Sequence, residues 1–273
     1  MNLKDLFSEE NSVYMAHVYY GDPTEDFSIE LIKTLCKNGV DIIEFGIPFS
    51  DPTADGPVFQ RACERALKNG MTPDKAIKGI KKIRNAGLNQ PIVVTSYYNP
   101  IIHMGVKDFV KKIKSSGADA LLVPNVPYEE ADPLLEAGEE HGIDIIFLIA
   151  PTTPEKRLKE ILKRAKGFVY IMTLTGVTGV RENLLDSTIE LIKRVRKYTD
   201  IPLLAGFGIS KKEHAKSVVI AGADGVITGS VLGKIYEKNL EKPYETLPEL
   251  TTFTRELKQS CVKAYKERME GVF

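Results

Sequence analysis

The chain has 273 residues, of which 43% are apolar, enough to form a sizeable core. Its 37 basic and 37 acidic side chains balance, so the overall charge favours neither nucleic acid nor a membrane surface as a partner. The amino terminus is too polar for a signal peptide, no apolar run reaches membrane-spanning length, and the three cysteines form no pair motif. We therefore expect a cytoplasmic protein that binds neither nucleic acid nor membranes.

Eight apolar runs bounded by turn residues predict eight β-strands. They lie near residues 13–19, 41–46, 92–97, 119–123, 144–149, 168–173, 202–205 and 224–228. Amphipathic stretches between them predict helices, for example at 27–36, 131–140 and 184–197. Residues 1–12 and 74–86 predict extra helices outside this alternation.

A short motif with a glycine, one apolar residue and an aspartate occurs four times, always just before a predicted strand. The copies span residues 38–43, 116–121, 141–146 and 221–226. We interpret each glycine as the left-handed end of a helix. Alternating helices and strands favour a parallel sheet with right-handed crossovers.

Eight such units in about 250 residues match the size of a TIM (β/α)8 barrel. A doubly wound open sheet is the alternative. No Pro/Gly/Ser-rich linker divides the chain, so we expect a single domain over residues 1–273. The predicted fold is α/β, a TIM barrel with extra N-terminal and loop helices.

Two carboxylates near the second predicted strand are the candidate catalytic groups. Glu44 lies in the apolar run 42–47, where ionisation is costly, and Asp55 lies in the turn-rich segment that follows. At the carboxyl end of a barrel strand, such a pair can supply one proton-handling group and one ionised group. A buried Glu paired with a Lys or Arg, and a turn-forming Asp, are the alternatives.

Two glycine-rich turns follow the last two predicted strands. They contain Gly208 and the pair Gly229–Ser230, and the second leads into a helical run. Backbone N–H groups at such turns can bind phosphate, a recurrent arrangement after strands seven and eight of this fold. Ordinary tight turns with a Ser cap are the alternative.

Other candidate positions are more ambiguous. The loop 173–181 is rich in small residues and fits either a mobile lid or a long solvated loop. Tyr97 and Tyr170 fit either the wall of a flat ligand site or the core. The four histidines show no metal spacing, and no nucleotide-binding motif is present, so neither a metal site nor nucleotide chemistry is supported.

The chain resembles the tryptophan synthase alpha subunit in six motifs that extend over nearly its whole length. The longest is IEFGIPFSDPTADG at 43–56. The others are GDP at 21–23, SYYNP at 96–100, GVTG at 176–179, GFGIS at 206–210 and GS at 229–230.

The resemblance implies a TIM barrel that cleaves indole-3-glycerol phosphate to indole and glyceraldehyde 3-phosphate. It implies Glu44 and Asp55 as the catalytic pair and Tyr170 as the tyrosine beside the glutamate. The implied phosphate-binding residues are Gly179, Gly208, Gly229 and Ser230. The implied partner is a beta subunit that receives the indole in an alpha2beta2 complex. Pyridoxal phosphate is then expected only in that partner, and no cofactor in this chain.

Four positions depart from the usual family pattern, namely His17, Thr53, Asn125 and Leu174. The family usually has Phe or Tyr at the first, an aliphatic residue at the second and Asp at the third. Some relatives have Arg at the fourth. These differences leave the Glu–Asp pair intact. We expect them to affect the shape of the indole pocket and the contact with the partner. A non-catalytic activator of a beta-type partner and another sugar-phosphate barrel are the rival functions.

Overall fold

The computed structural model describes residues 3–7, 11–172, 181–206 and 208–272. Eight parallel strands close into a barrel in which each strand pairs with its neighbours in the chain and β8 pairs with β1. The strands are β1 Val13–Tyr19, β2 Ile42–Gly46, β3 Ile92–Thr95, β4 Ala120–Leu122, β5 Asp144–Ile149, β6 Val169–Met172, β7 Leu203–Gly206 and β8 Gly225–Thr228. The predicted TIM barrel is confirmed, and the open sheet is excluded.

The strands are almost continuously apolar because both of their faces are covered. Side chains that point inward, such as Met15, Ile42 and Val93, fill the barrel itself. Side chains that point outward, such as Ala16, Ile43 and Val94, pack against the surrounding helices.

Helices surround the barrel. In the described residues they are α1 Glu25–Lys37, α2 Pro57–Lys68, α3 Pro73–Asn85, α4 Tyr98–Met104, α5 Val106–Ser116, α6 Asp132–His141, α7 Glu155–Arg164, α8 Arg181–Arg196, α9 Lys212–Ile220, α10 Ser230–Tyr236 and α11 Leu247–Glu270. The three predicted amphipathic helices correspond to α1, α6 and α8. No helix in the described part of the chain is both long and apolar enough to cross a membrane.

Of the two extra helices predicted, one is wrong in part and one is confirmed. At 1–12, the described residues form only a short 3-10 turn, Leu3–Leu6, and 11–12 are not helical. The two leucines of this turn pack into the core inside the barrel. The helix predicted at 74–86 is confirmed as α3, which packs beside α5. A further helix, α2, packs on α10 and β1.

The repeated glycine motif occurs where helices end and strands begin. Gly39, Gly117, Gly142 and Gly222 all have positive φ, between 68° and 116°, as predicted. A side chain at these positions would be strained, so glycine allows the sharp turn into the next strand. These four turns lie at the amino-terminal end of the barrel, opposite the end at which the candidate catalytic residues lie.

Candidate active site

Glu44 lies near the carboxyl end of β2 and points into the barrel, on the same face as Ile42. It is 2% exposed. Its Oε1 atom accepts a hydrogen bond from the Thr95 hydroxyl at 2.8 Å and lies 3.2 Å from His17 Nδ1. Its Oε2 atom has no hydrogen-bond partner among the described residues. One carboxyl oxygen is therefore hydrogen-bonded within the protein, and the other has no hydrogen-bond partner among the described residues.

The surroundings of Glu44 favour its protonated form. Burial raises the pKa of this carboxyl, the Thr95 hydroxyl lowers it, and the negative charge of Asp55 raises it further, to about 8. The alternative that Glu44 is paired with a Lys or Arg does not hold for the described residues, where the only basic side chain within 4.0 Å of it is that of His17. At neutral pH Glu44 can therefore act as an acid.

Asp55 lies in the segment between β2 and α2, close to the end of β1. Its Oδ2 atom accepts hydrogen bonds from the hydroxyls of Tyr97 at 2.6 Å and Tyr19 at 2.7 Å. Burial raises the pKa of Asp55, while these two hydroxyls lower it. Tyr97 also accepts a hydrogen bond from the Ala54 N–H at 2.9 Å, so this tyrosine fixes the backbone of the loop as well as its carboxylate.

Aromatic rings surround the two carboxylates. The ring of His17 lies 4.9 Å from that of Tyr19 and 4.5 Å from that of Phe59, measured between centroids. Tyr170, in β6, is buried inside the barrel, where burial and the charges of Glu44 and Asp55 all raise the pKa of its hydroxyl. Tyr170 is therefore neutral at physiological pH.

The candidate phosphate-binding residues lie at the same end of the barrel. Gly208 has a φ of +78° after β7, and Gly229 directly precedes α10, whose first residue is Ser230. A Cβ on Gly229 would lie 2.4 Å from Phe59 Cζ and 3.1 Å from His17 Cβ, so this turn adjoins the aromatic wall. Gly179 and the predicted lid at 173–181, except Arg181, lie outside the described residues.

Comparisons with known proteins agree with this geometry. The family model described as tryptophan synthase alpha chain matches residues 3–262. The tryptophan synthase alpha chain of Methanocaldococcus jannaschii is 46% identical, covering 88% of this chain and 84% of that protein. That of Arabidopsis thaliana is 39% identical, covering 94% and 93%. The crystal structure of the alpha subunit from Legionella pneumophila has a TM-score of 0.87 at 30% identity, covering 96% and 99%.

This chain belongs to the tryptophan synthase alpha chain family. The family that the six motifs resemble is thereby confirmed. The chain is a carbon–carbon lyase of tryptophan biosynthesis, which cleaves indole-3-glycerol phosphate to indole and glyceraldehyde 3-phosphate.

The structure adds three side chains that sequence reasoning did not place beside the Glu–Asp pair of this alpha chain. Thr95 and Tyr19 donate hydrogen bonds to Glu44 and Asp55, and His17, noted only as a departure, contacts Glu44. Alternation along β1 and β3 could have indicated that these residues face the barrel interior. Their partners depend on the strand register, which pairs His17 with Glu44 and is not visible in any one segment.

Proposed function

We propose that Glu44 is the general acid of the retro-aldol cleavage. The bond that breaks joins indole C3 to the glycerol chain, and an indole carbanion is a poor leaving group. Protonation of C3 converts the leaving group into neutral indole by way of an indolenine tautomer. The observation that carries this assignment is a buried carboxyl whose pKa is raised to about 8 and whose Oε2 atom has no partner among the described residues.

Asp55 accepts a hydrogen bond from the indole N1–H in this proposal. Positive charge develops on that nitrogen as C3 is protonated, and a fixed carboxylate stabilises it. Both tyrosine hydroxyls donate to Oδ2, so Oδ1 can accept the N1–H. The two hydroxyls favour the ionised form, which gives Asp55 a role different from that of Glu44.

The remaining contacts orient the substrate. Tyr97 and Tyr170 line the space for the indole ring, and Gly208, Gly229 and Ser230 bind the phosphate, together with Gly179. Binding of this non-reacting phosphate offsets the loss of freedom of the glycerol chain. Glu44 first gives its proton to indole C3. The carboxylate that remains then takes the proton of the glycerol 3-hydroxyl, either directly or through a water molecule.

We propose that the chain works in the cytoplasm as a single domain, with a tryptophan synthase beta subunit as its partner. The beta subunit receives the indole and carries the pyridoxal phosphate, so the alpha chain itself requires no cofactor. We expect an assembly of two alpha and two beta chains, which binds neither nucleic acid nor a membrane. Family membership supports this partner, because tryptophan synthase needs a second reaction that uses the indole.

Indole release from the purified chain tests the proposed function. The chain is mixed with indole-3-glycerol phosphate, and indole and glyceraldehyde 3-phosphate are measured with and without a beta subunit. We expect equal amounts of both products from the chain alone, and faster release when the beta subunit is present. No product under either condition would indicate a non-catalytic activator, and turnover of another sugar phosphate without indole would indicate a different lyase or isomerase.

A further inference from the structure

A buried histidine contacts the candidate acid. His17 and Glu44 are directly paired in the register of β1 and β2, so both side chains point into the barrel. His17 Nδ1 lies 3.2 Å from Glu44 Oε1, within hydrogen-bonding distance. His17 Nε2 and Glu44 Oε2 are both buried and have no hydrogen-bond partner among the described residues.

The position of this imidazole is fixed by its neighbours. It packs against the rings of Tyr19 and Phe59. A Cβ on Gly46 would lie 2.8 Å from His17 Nε2 and 2.7 Å from Tyr19 Cδ1, so the absence of a side chain at Gly46 makes room for both rings. The ring therefore presents Nδ1, and not Nε2, to the carboxyl.

His17 is neutral at physiological pH, since burial lowers its pKa to about 3. A neutral imidazole has a single N–H, which is on either Nδ1 or Nε2. A proton on Nε2 would leave a buried N–H without an acceptor in the described residues, and orphaned buried N–H groups are rare. A proton on Nδ1 instead points toward Glu44 Oε1, so this tautomer is favoured.

We infer that His17 is a positioning residue for Glu44: its Nδ1–H and the Thr95 hydroxyl both donate to Oε1, which places the acidic proton on Oε2. This inference rests on the proposed role of Glu44 as the acid. Only Oε2 then faces the substrate with a proton, and the carboxyl cannot rotate without losing two donors. The proton is thus aimed at indole C3 before the substrate arrives.

His17 also affects when Glu44 ionises. Among the described residues, the groups that contact Glu44 or interact with its charge are His17 from β1, Thr95 from β3, Tyr170 from β6 and Asp55 from the loop after β2. Burial and Asp55 raise the pKa of Glu44, whereas N–H and O–H donors favour the carboxylate. Loss of the His17 donor should therefore raise the pKa of Glu44, so that kcat/KM falls at a higher pH than in the native chain.

Three substitutions of His17 separate the effect of its hydrogen-bond donor from the effect of its ring. In His17→Asn the amide nitrogen takes about the place of Nδ1, in His17→Gln it takes about the place of Nε2, and His17→Phe has no donor. We expect the Phe and Gln variants to lose about tenfold in kcat, and the alkaline limb of kcat/KM to move up by about one pH unit. In the Asn variant, the alkaline limb should stay at the pH at which it lies in the native chain. His103→Phe, an exposed site on α4, is the control and should change neither quantity.

Nitrogen NMR of the native chain gives a readout that needs no variant to fold. The 15N shifts of His17 should report the neutral Nδ1–H tautomer at neutral pH. An Nε2–H tautomer, or equal pH profiles for the Asn, Gln and Phe variants, would overturn the inference. If Glu44→Gln abolishes cleavage while these profiles stay equal, only the role of His17 is wrong. If Glu44→Gln keeps its rate, the proposed acid itself is wrong.

Discussion

Carboxylates occur at both ends of this barrel, and their partners differ. At the amino-terminal end, Asp41 accepts from Lys258 Nζ at 2.5 Å, and Asp119 accepts from Arg84 at 2.9 Å. Asp224 bonds to two arginines. These three aspartates come from the repeated glycine motif, and each also accepts a backbone N–H at or near the start of a neighbouring strand.

At the carboxyl-terminal end, the hydrogen-bond partners of Glu44 and Asp55 are neutral. Glu44 accepts from a threonine hydroxyl, and Asp55 accepts from two tyrosine hydroxyls. Neither forms an ion pair with a Lys or Arg in the described part of the chain. Burial raises the pKa of both carboxyls.

The difference shows how one residue type serves two purposes in the same fold. A carboxylate between cations and backbone N–H groups joins adjacent strands, which stabilises the barrel. The carboxyl of Glu44, among apolar groups and hydroxyls, can instead gain and lose a proton near neutral pH. Substitutions at the two ends should therefore affect different quantities.

The largest expected effect is on catalysis by Glu44→Gln. The amide keeps the size of the side chain but cannot give up a proton, so kcat should fall by about a thousandfold or more. Binding of indole-3-glycerol phosphate, measured by calorimetry, should remain. A variant that retains most of its turnover rate would rule out Glu44 as the acid.

Asp55→Asn should have the next largest effect. Loss of the charge that stabilises the indole nitrogen should lower kcat by about a hundredfold or more, by analogy with other charge-stabilising partners. Steady-state kinetics on the purified chain measures this. A loss confined to KM would instead assign Asp55 to ground-state binding.

Asp224→Asn tests the opposite end of the barrel. Asparagine can still accept the Leu203 N–H but loses its charge toward Arg196 and Arg268, so the free energy of unfolding in urea should fall by about 2 kcal/mol. The kcat of the folded variant should stay within about twofold of the native value. Glu64→Gln, in an exposed pair with Lys68, is the control and should leave stability unchanged.

Ser230→Asp should have a smaller and more selective effect. A negative charge at the first residue of α10 repels a bound phosphate, so glycerol 3-phosphate should inhibit about tenfold less strongly. The affinity for free indole should change little. Equal losses for both ligands would contradict a phosphate site at this turn.

Much of this arrangement was predictable from the sequence because it depends on local patterns. Apolar runs predicted the eight strands, and an isolated acid in one of them predicted Glu44 as a candidate. The partners of that acid were not predictable, since Thr95 and His17 reach it only through the pairing of separate strands. The short turn Leu3–Leu6 likewise depends on packing of its two leucines into the barrel core, which is not visible in that segment alone.

The pH dependence of kcat/KM should follow the same carboxyl. Glu44 must carry its proton to act as an acid, and its surroundings in the folded chain raise its pKa to about 8. The value of kcat/KM should therefore fall as the pH rises through about 8, because the ionised form has no proton to give.

Carbon NMR of the Glu44 carboxyl tests the raised pKa most directly. The chain is labelled at glutamate side chains, the resonance is assigned by its absence in Glu44→Gln, and its shift is followed from acid to alkaline pH. We expect a titration midpoint near 8, far above the ordinary value of 4.5. A midpoint near 4.5 would mean that Glu44 is ionised at neutral pH and cannot be the acid that protonates indole.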